Sequence, residues 1–231
     1  MLRVLPRAVL QTAFYASLGR LTAGEAGLTE ALTGAVAFLA VGPLVVRLPD
    51  IGTEERFYGT MGRLLTGRPP IAALLAARTW PYLAEALAIW AIAGCLTPLL
   101  LARPELADDQ LTALPAYLLI MAATTAMGLV VTSTCLGRRS EVAVSNTLAY
   151  ATLALGGVLP TAAGNGPLSA AADLLPFTPA LQFYRAQQAG HPGTTLLLHT
   201  LLLSAAWATA AWLIARTLTR RSVRDGHHDL T

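Results

Sequence analysis

The stretch LTEALTGAVAFLAVGPLVVRLPDIGTEERFYGTMGRLLTGR, Leu28–Arg68, decides the fold. Its first part, about Leu28–Val46, is apolar over a length that crosses hydrocarbon, and Arg47 closes it. Its second part, Gly52–Arg68, predicts a short amphipathic helix over about 54–66, where a membrane protein needs only a loop. Thr53 is placed to cap the start, and Glu54 and Glu55 sit in the first turn, where carboxylates suit the positive helix end. Phe57, Met61, Leu64 and Leu65 fall at i, i+4, i+7 and i+8 and share one face. Arg63 and Arg68 lie near the other end, and Gly67 is expected to stop the helix. A helix with one charged and one apolar side, lying beside a bilayer, is built to touch something.

Outward from this stretch the chain keeps the same character. Of its 231 residues 55% are hydrophobic and only 13% charged, and the apolar ones gather in runs. Six runs read as spans: about Leu5–Leu21, Leu28–Val46, Ile71–Leu101, Leu111–Leu136, Val142–Leu159 and Thr194–Ile214, with a polar tail from Arg216 to Thr231. None shows the two-residue alternation of a transmembrane barrel, so the expected class is an all-α membrane protein, one domain over residues 1–231. No removed signal peptide is expected, because no small-residue cleavage site follows a clean apolar core. Cys95 and Cys135 lie in apolar surroundings without metal-type spacing, which suggests neither a zinc site nor a disulfide framework.

Lysine is absent, and all 16 basic residues are arginine. Their positions bear on topology, not on nucleic-acid binding, since the net charge is only +3. Six spans place thirteen arginines on one side and three, Arg20, Arg103 and Arg185, on the other. The richer side is expected to be cytoplasmic and to hold both termini and the amphipathic helix, in a multi-pass protein of the plasma membrane.

The segment between the last two spans, Leu159–Gly193, is too apolar for a simple external loop and too broken by proline and glycine for a span. Short helical pieces dipping back into the outer leaflet are expected, one over Leu168–Leu175 and one over Ala180–Ala189, at the outer end of the bundle where a gate would sit. Glu85 inside the third span is either a functional carboxylate or the partner of an arginine such as Arg78, two turns away. His199 reads as a hydrogen-bonded interior group. Trp80, Tyr82 and Trp90 read as interface and packing aromatics.

Glu55-Arg56-Phe57-Tyr58-Gly59-Thr60-Met61-Gly62-Arg63-Leu64-Leu65 resembles a pattern of the form E-R-x-x-G-T-(L/M)-E-x-L-(L/M), which marks the cytoplasmic coupling helix in the permeases of type-2 ABC exporters. Gly62 departs from it, standing where the family often has glutamate. Gly156-Gly157-Val158-Leu159-Pro160, followed by Leu175-Pro176-Phe177-Thr178-Pro179, is similar to the family's glycine-proline end of span five and its external helical pair. The likeness covers about Ala8–Arg216.

That resemblance implies six spans, a coupling helix and short re-entrant helices. It implies that Glu54, Glu55, Arg56, Phe57, Gly59, Thr60, Met61, Arg63, Leu64 and Leu65 meet a cytoplasmic ATPase, with the apolar residues buried in its groove and the charged ones as a rim. Gly156, Gly157, Pro160, Pro176, Phe177 and Pro179 would form the external gate. The chain itself is not the motor: the phosphate loop G-x-x-x-x-G-K-(S/T) needs a lysine, and none exists. No cofactor is expected on this chain, and ATP and Mg would be bound by the partner ATPase. The further partners implied are a second permease protomer, identical or different, and the lipid bilayer.

Export of a drug, peptide or other amphipathic substrate follows, with self-protection against an antibiotic as one instance. The alternative is a secondary transporter or channel needing no ATPase. It fits less well, with one mid-span carboxylate and no internal repeat. An intramembrane enzyme is a third class, for which no H-E-x-x-H, G-x-S-x-G or paired span aspartates supply a visible catalytic apparatus.

Overall fold

Helix α1 (Val4–Gly42) joins the first two apolar runs into one helical track. Its backbone leaves the helix at Ala23 (φ −139°, ψ 20°) and at Gly24, whose φ of 67° suits a residue without a Cβ. There the chain doubles back. A Cβ on Gly19 would stand 2.3 Å from both the Gly27 carbonyl oxygen and the Ala31 Cβ. In a straight helix residues 19 and 31 are about 18 Å apart. The two halves of α1 thus meet backbone to backbone, which only small residues allow.

The computed structural model describes residues 4–60, 63, 70–135, 141–158 and 167–225. After α1 the chain continues through a wide π turn, Pro43–Arg47, and a tight 3-10 turn, Leu48–Asp50, into α2 (Ile51–Phe57). Pro43 and Pro49 each lack an amide hydrogen, and the change of winding accommodates the missing donors. Next come α3 (Ile71–Ala77), α4 (Trp80–Leu100), α5 (Glu105–Thr112) and α6 (Leu114–Cys135). Helices α7 (Glu141–Leu155), α8 (Pro167–Asp173), α9 (Phe177–Gln188) and α10 (Thr194–Asp225) complete the chain.

All described secondary structure is helical. Among the described residues four helical tracts are long and apolar enough to cross a membrane: Pro6–Glu55, Ile71–Leu100, Leu114–Cys135 and Thr194–Leu218. Val142–Leu155 is apolar but shorter. The second half of α1 packs on α4, and α6 packs on α10. Between them Leu32, Val36, Leu44, Trp90, Tyr117, Met121, Phe177 and Tyr184 form the main core. A second cluster, Leu48, Ile51, Ile71, Leu75 and Ala215, closes the end that carries α2 and α3.

Several boundaries differ from those the sequence predicts. The third run breaks at Arg78–Thr79, between α3 and α4. The acidic stretch after it is helical, as α5 begins at Glu105 behind Pro104. Helix α10 runs on into the polar tail as far as Asp225, well past Ile214. The short helical pieces expected between the last two spans lie close to expectation, at Pro167–Asp173 and Phe177–Gln188.

Candidate functional site at the two ends of the bundle

The charges separate to opposite ends. At one end Arg20 and Arg103 both reach Glu25, each at 2.8 Å, and Arg185 lies 3.3 Å from Glu30. The three arginines that the sequence groups on the minority side are therefore gathered at one end. At the other end Arg47 pairs with Glu85 and Arg78 with Glu55. Glu85 does have an arginine partner, but it is Arg47 of the π turn. Arg78, the partner that helical spacing suggests, is engaged by Glu55.

The E-R-x-x-G-T stretch sits at this second end, and it is not one continuous helix. Helix α2 begins at Ile51, so Thr53 lies inside it and does not cap its start. It ends after Phe57. Gly59 has φ 66°, and the Thr60 amide donates to the Glu55 carbonyl at 2.9 Å. That left-handed glycine with a six-residue hydrogen bond is a Schellman stop. The predicted helix over 54–66 is thus broken at Gly59, where α2 stops, and Gly67 lies outside the described residues.

The spacing that put Phe57, Met61, Leu64 and Leu65 on one face assumes unbroken winding, which the positive φ at Gly59 interrupts. Met61, Leu64 and Leu65 lie outside the described residues, as does Gly62. Arg63 is exposed, and Glu54 is exposed in the first turn of α2.

Glu55 does not stand on a charged rim. It is 5% exposed, bridged to Arg78, and it accepts a hydrogen bond from the Thr60 hydroxyl. The motif's glutamate, glycine and threonine therefore build one turn: glycine reverses the backbone, and threonine returns to the buried glutamate. What the turn presents is aromatic. Phe57 is 84% and Tyr58 72% exposed, and their rings meet edge to face at 5.4 Å. Sequence spacing picked out Phe57 but not Tyr58, because a helix to residue 66 puts Tyr58 off the apolar face.

At the other end, the described members of the predicted gate come together. A Cβ on Gly156 would stand 2.7 Å from Phe177 Cδ1, so the end of α7 and the start of α9 are in direct contact. Gly157 (φ 73°) lies beside Arg185: a Cβ there would be 3.5 Å from its Nη1. Phe177 and Pro179 are buried in the first turn of α9, and Pro176 precedes it. Pro160 lies outside the described residues.

A polar seam runs inward from this contact. The Tyr117 and Tyr184 rings are 5.3 Å apart, and Trp90 stands 5.9 Å from Tyr117. The Tyr117 hydroxyl lies 2.5 Å from Gln110 Oε1, and Gln188 Nε2 donates to the Tyr184 hydroxyl at 2.6 Å. Burial raises the Tyr184 phenol above its ordinary value and lowers the Arg185 guanidinium, while Glu30 acts in the opposite direction on Arg185. Trp90 Nε1, Thr178 Oγ1 and Arg185 Nε are buried without a hydrogen-bond partner among the described residues. Unpaired polar atoms at this density mark a place suited to water or to a polar ligand.

Sequence reading missed this seam. Its one signal was a tyrosine early in an apolar run, seven residues after Gln110. His199, expected inside, is exposed on α10. Cys95 and Cys135 are free thiols. Among the described residues no group of three or more His, Cys, Asp or Glu is arranged to hold a metal ion.

Comparison with protein-family models, with curated proteins and with solved structures finds no match.

Proposed function

We propose that the chain is the membrane-spanning permease subunit of an ATP-driven exporter, powered by a separate cytoplasmic ATPase and working with a second permease protomer. In this reading there are six spans. The doubling of α1 at Gly24 supplies two of them, and the apolar helix Val142–Leu155 supplies the fifth. The arginine-rich end faces the cytoplasm and the Tyr117–Tyr184 seam faces outward.

The observation that carries this reading is the exposed Phe57–Tyr58 pair on a turn pinned from behind by Glu55, Thr60 and Arg78. Two adjacent aromatics cost free energy in water, and a pinned turn loses little conformational entropy on docking. Such a pair fits an apolar groove on a protein partner.

The test is affinity purification of the chain from its native membranes in mild detergent. A subunit carrying the G-x-x-x-x-G-K-(S/T) loop should coelute with Mg-dependent ATP hydrolysis. Phe57→Asp with Tyr58→Asp should abolish that coelution while helicity and membrane insertion persist. Coelution that survives the double change, or its absence from the wild-type chain, overturns the proposal.

A further inference from the structure

We infer that the trough between α3, α6 and α10 is a binding site for one anionic phospholipid from the leaflet at the arginine-rich end. A cavity of 400 Å³ lies there, walled by apolar side chains that include Ala76, Leu129, Ala211 and Trp212. Through Pro70, Ala72 and Trp212 it adjoins a second cavity of 250 Å³, whose remaining wall includes Arg216 and Arg220. The site is thus apolar along one part and cationic at the end, in the order a lipid presents chain and phosphate.

The helix carries that order in its sequence. Trp212, Arg216 and Arg220 follow at i, i+4 and i+8, one above another on the same face of α10. The Arg216 guanidinium carbon lies 5.0 Å from the Trp212 ring centroid, a cation–π contact that holds it over the trough. A tryptophan beside an arginine near a span end marks headgroup depth.

Charge complementarity selects the occupant. Arg20, Arg47, Arg78, Arg103 and Arg185 each pair with a carboxylate of the fold. Arg216 and Arg220 face no carboxylate among the described residues and remain exposed. A basic pocket between spans on the cytoplasmic side suits an anionic headgroup. A phosphatidylglycerol brings a phosphate without the compensating amine of a phosphatidylcholine. This inference does not rest on the exporter reading.

The experiment uses the purified full chain, delipidated in detergent and exposed to equimolar phosphatidylglycerol and phosphatidylcholine, with retained lipid counted by native mass spectrometry. One molecule of phosphatidylglycerol should be held at saturation. Two cationic contacts near the membrane surface should favour it by about 30-fold. Arg216→Gln with Arg220→Gln should bring the two lipids to parity.

Ala76→Phe, a change on the exposed wall of the trough, should also cut retention, while Ala76→Ser should not. Helix content and a monodisperse elution profile confirm that each variant is folded. Equal retention of both lipids by the wild type overturns the site. So does a preference that survives the double arginine change. Retention untouched by Ala76→Phe would reduce the site to surface attraction, without a chain in the trough, and would equally refute it.

Discussion

Replacing Arg78 with alanine should loosen the aromatic turn without touching it. The Glu55 side chain is 7% exposed and that of Arg78 42%. Breaking a fully buried pair by removing one partner costs about 3–5 kcal/mol, because a buried charge is left uncompensated. An exposed pair is worth less than about 1 kcal/mol. Water would enter the half-open space vacated by Arg78 and rehydrate part of the carboxylate, so the expected cost of Arg78→Ala is about 2 kcal/mol. Glu55→Gln should cost about 1 kcal/mol, since Arg78 is already half solvated and the amide still accepts from Thr60. The double variant Glu55→Gln/Arg78→Ala should then cost less than the sum of the two, leaving a coupling of about 1 kcal/mol.

The cost is local, so the assay should read local opening. Arg56 lies inside α2, and trypsin can cleave after it only when that helix opens. In detergent micelles the initial cleavage rate after Arg56 should rise about 30-fold in Arg78→Ala, if opening is fast relative to cleavage. Cleavage after Arg7, at the far end of the sequence, should not change. Equal rates in wild type and variant, or strict additivity in the double variant, would show that the ion pair does not hold the turn.

The remaining predictions concern the other end. Gly156→Val should destabilise the protein by about 1–3 kcal/mol, because the new Cβ would stand 2.2 Å from the Thr152 carbonyl oxygen and 2.7 Å from the Phe177 ring. Phe177→Leu in the same chain should recover part of that loss, as read by thermal unfolding in detergent. No recovery would mean that the two residues do not press on each other. The raised Tyr184 phenol gives a pH signature. The unfolded chain ionises it near the ordinary value of 10.0 and the folded chain only above that, so its stabilising contribution is complete below pH 10.0 and is lost as pH rises into the folded-state range. Tyr184→Phe should flatten that alkaline fall in stability, and an unchanged profile would contradict the burial.

Helical class and membrane character were legible from run length alone, since an apolar run bounded by arginine leaves the backbone little choice but a helix. The grouping of Arg20, Arg103 and Arg185 was legible as well, because charge seeks the ends of apolar helices. The break at Gly59 was not. Periodicity counts residues as if winding were uniform, and a single positive φ resets the phase for all that follows. Glu55 was misplaced for a related reason: in a first turn a carboxylate looks like a dipole partner, and its burial depends on Arg78, twenty-three residues away. The Tyr117–Gln110–Tyr184 seam joins α5, α6 and α9, and no local pattern announces contacts of that range.

From Glu30 to Phe57 no loop interrupts the backbone. It passes through α1, the π turn, the 3-10 turn and α2, a track of about 40 Å at helical rise. Glu30 meets Arg185 at one end of this track, and the Phe57–Tyr58 pair stands at the other. Under the exporter reading, force applied at the pair has no slack segment to take it up. The one place where winding changes, Pro43–Asp50, is where bending would be expected. Helix α6 closes off that option: a Cβ on Gly128 would stand 2.0 Å from the Leu44 carbonyl oxygen, so its backbone bears directly on the π turn. Nearer Glu30 the same track is braced again: a Cβ on Gly34 would stand 2.4 Å from the Val158 carbonyl oxygen. Motion at the aromatic pair would therefore reach the Arg185–Glu30 contact only by carrying α6 and the residues after α7 with it.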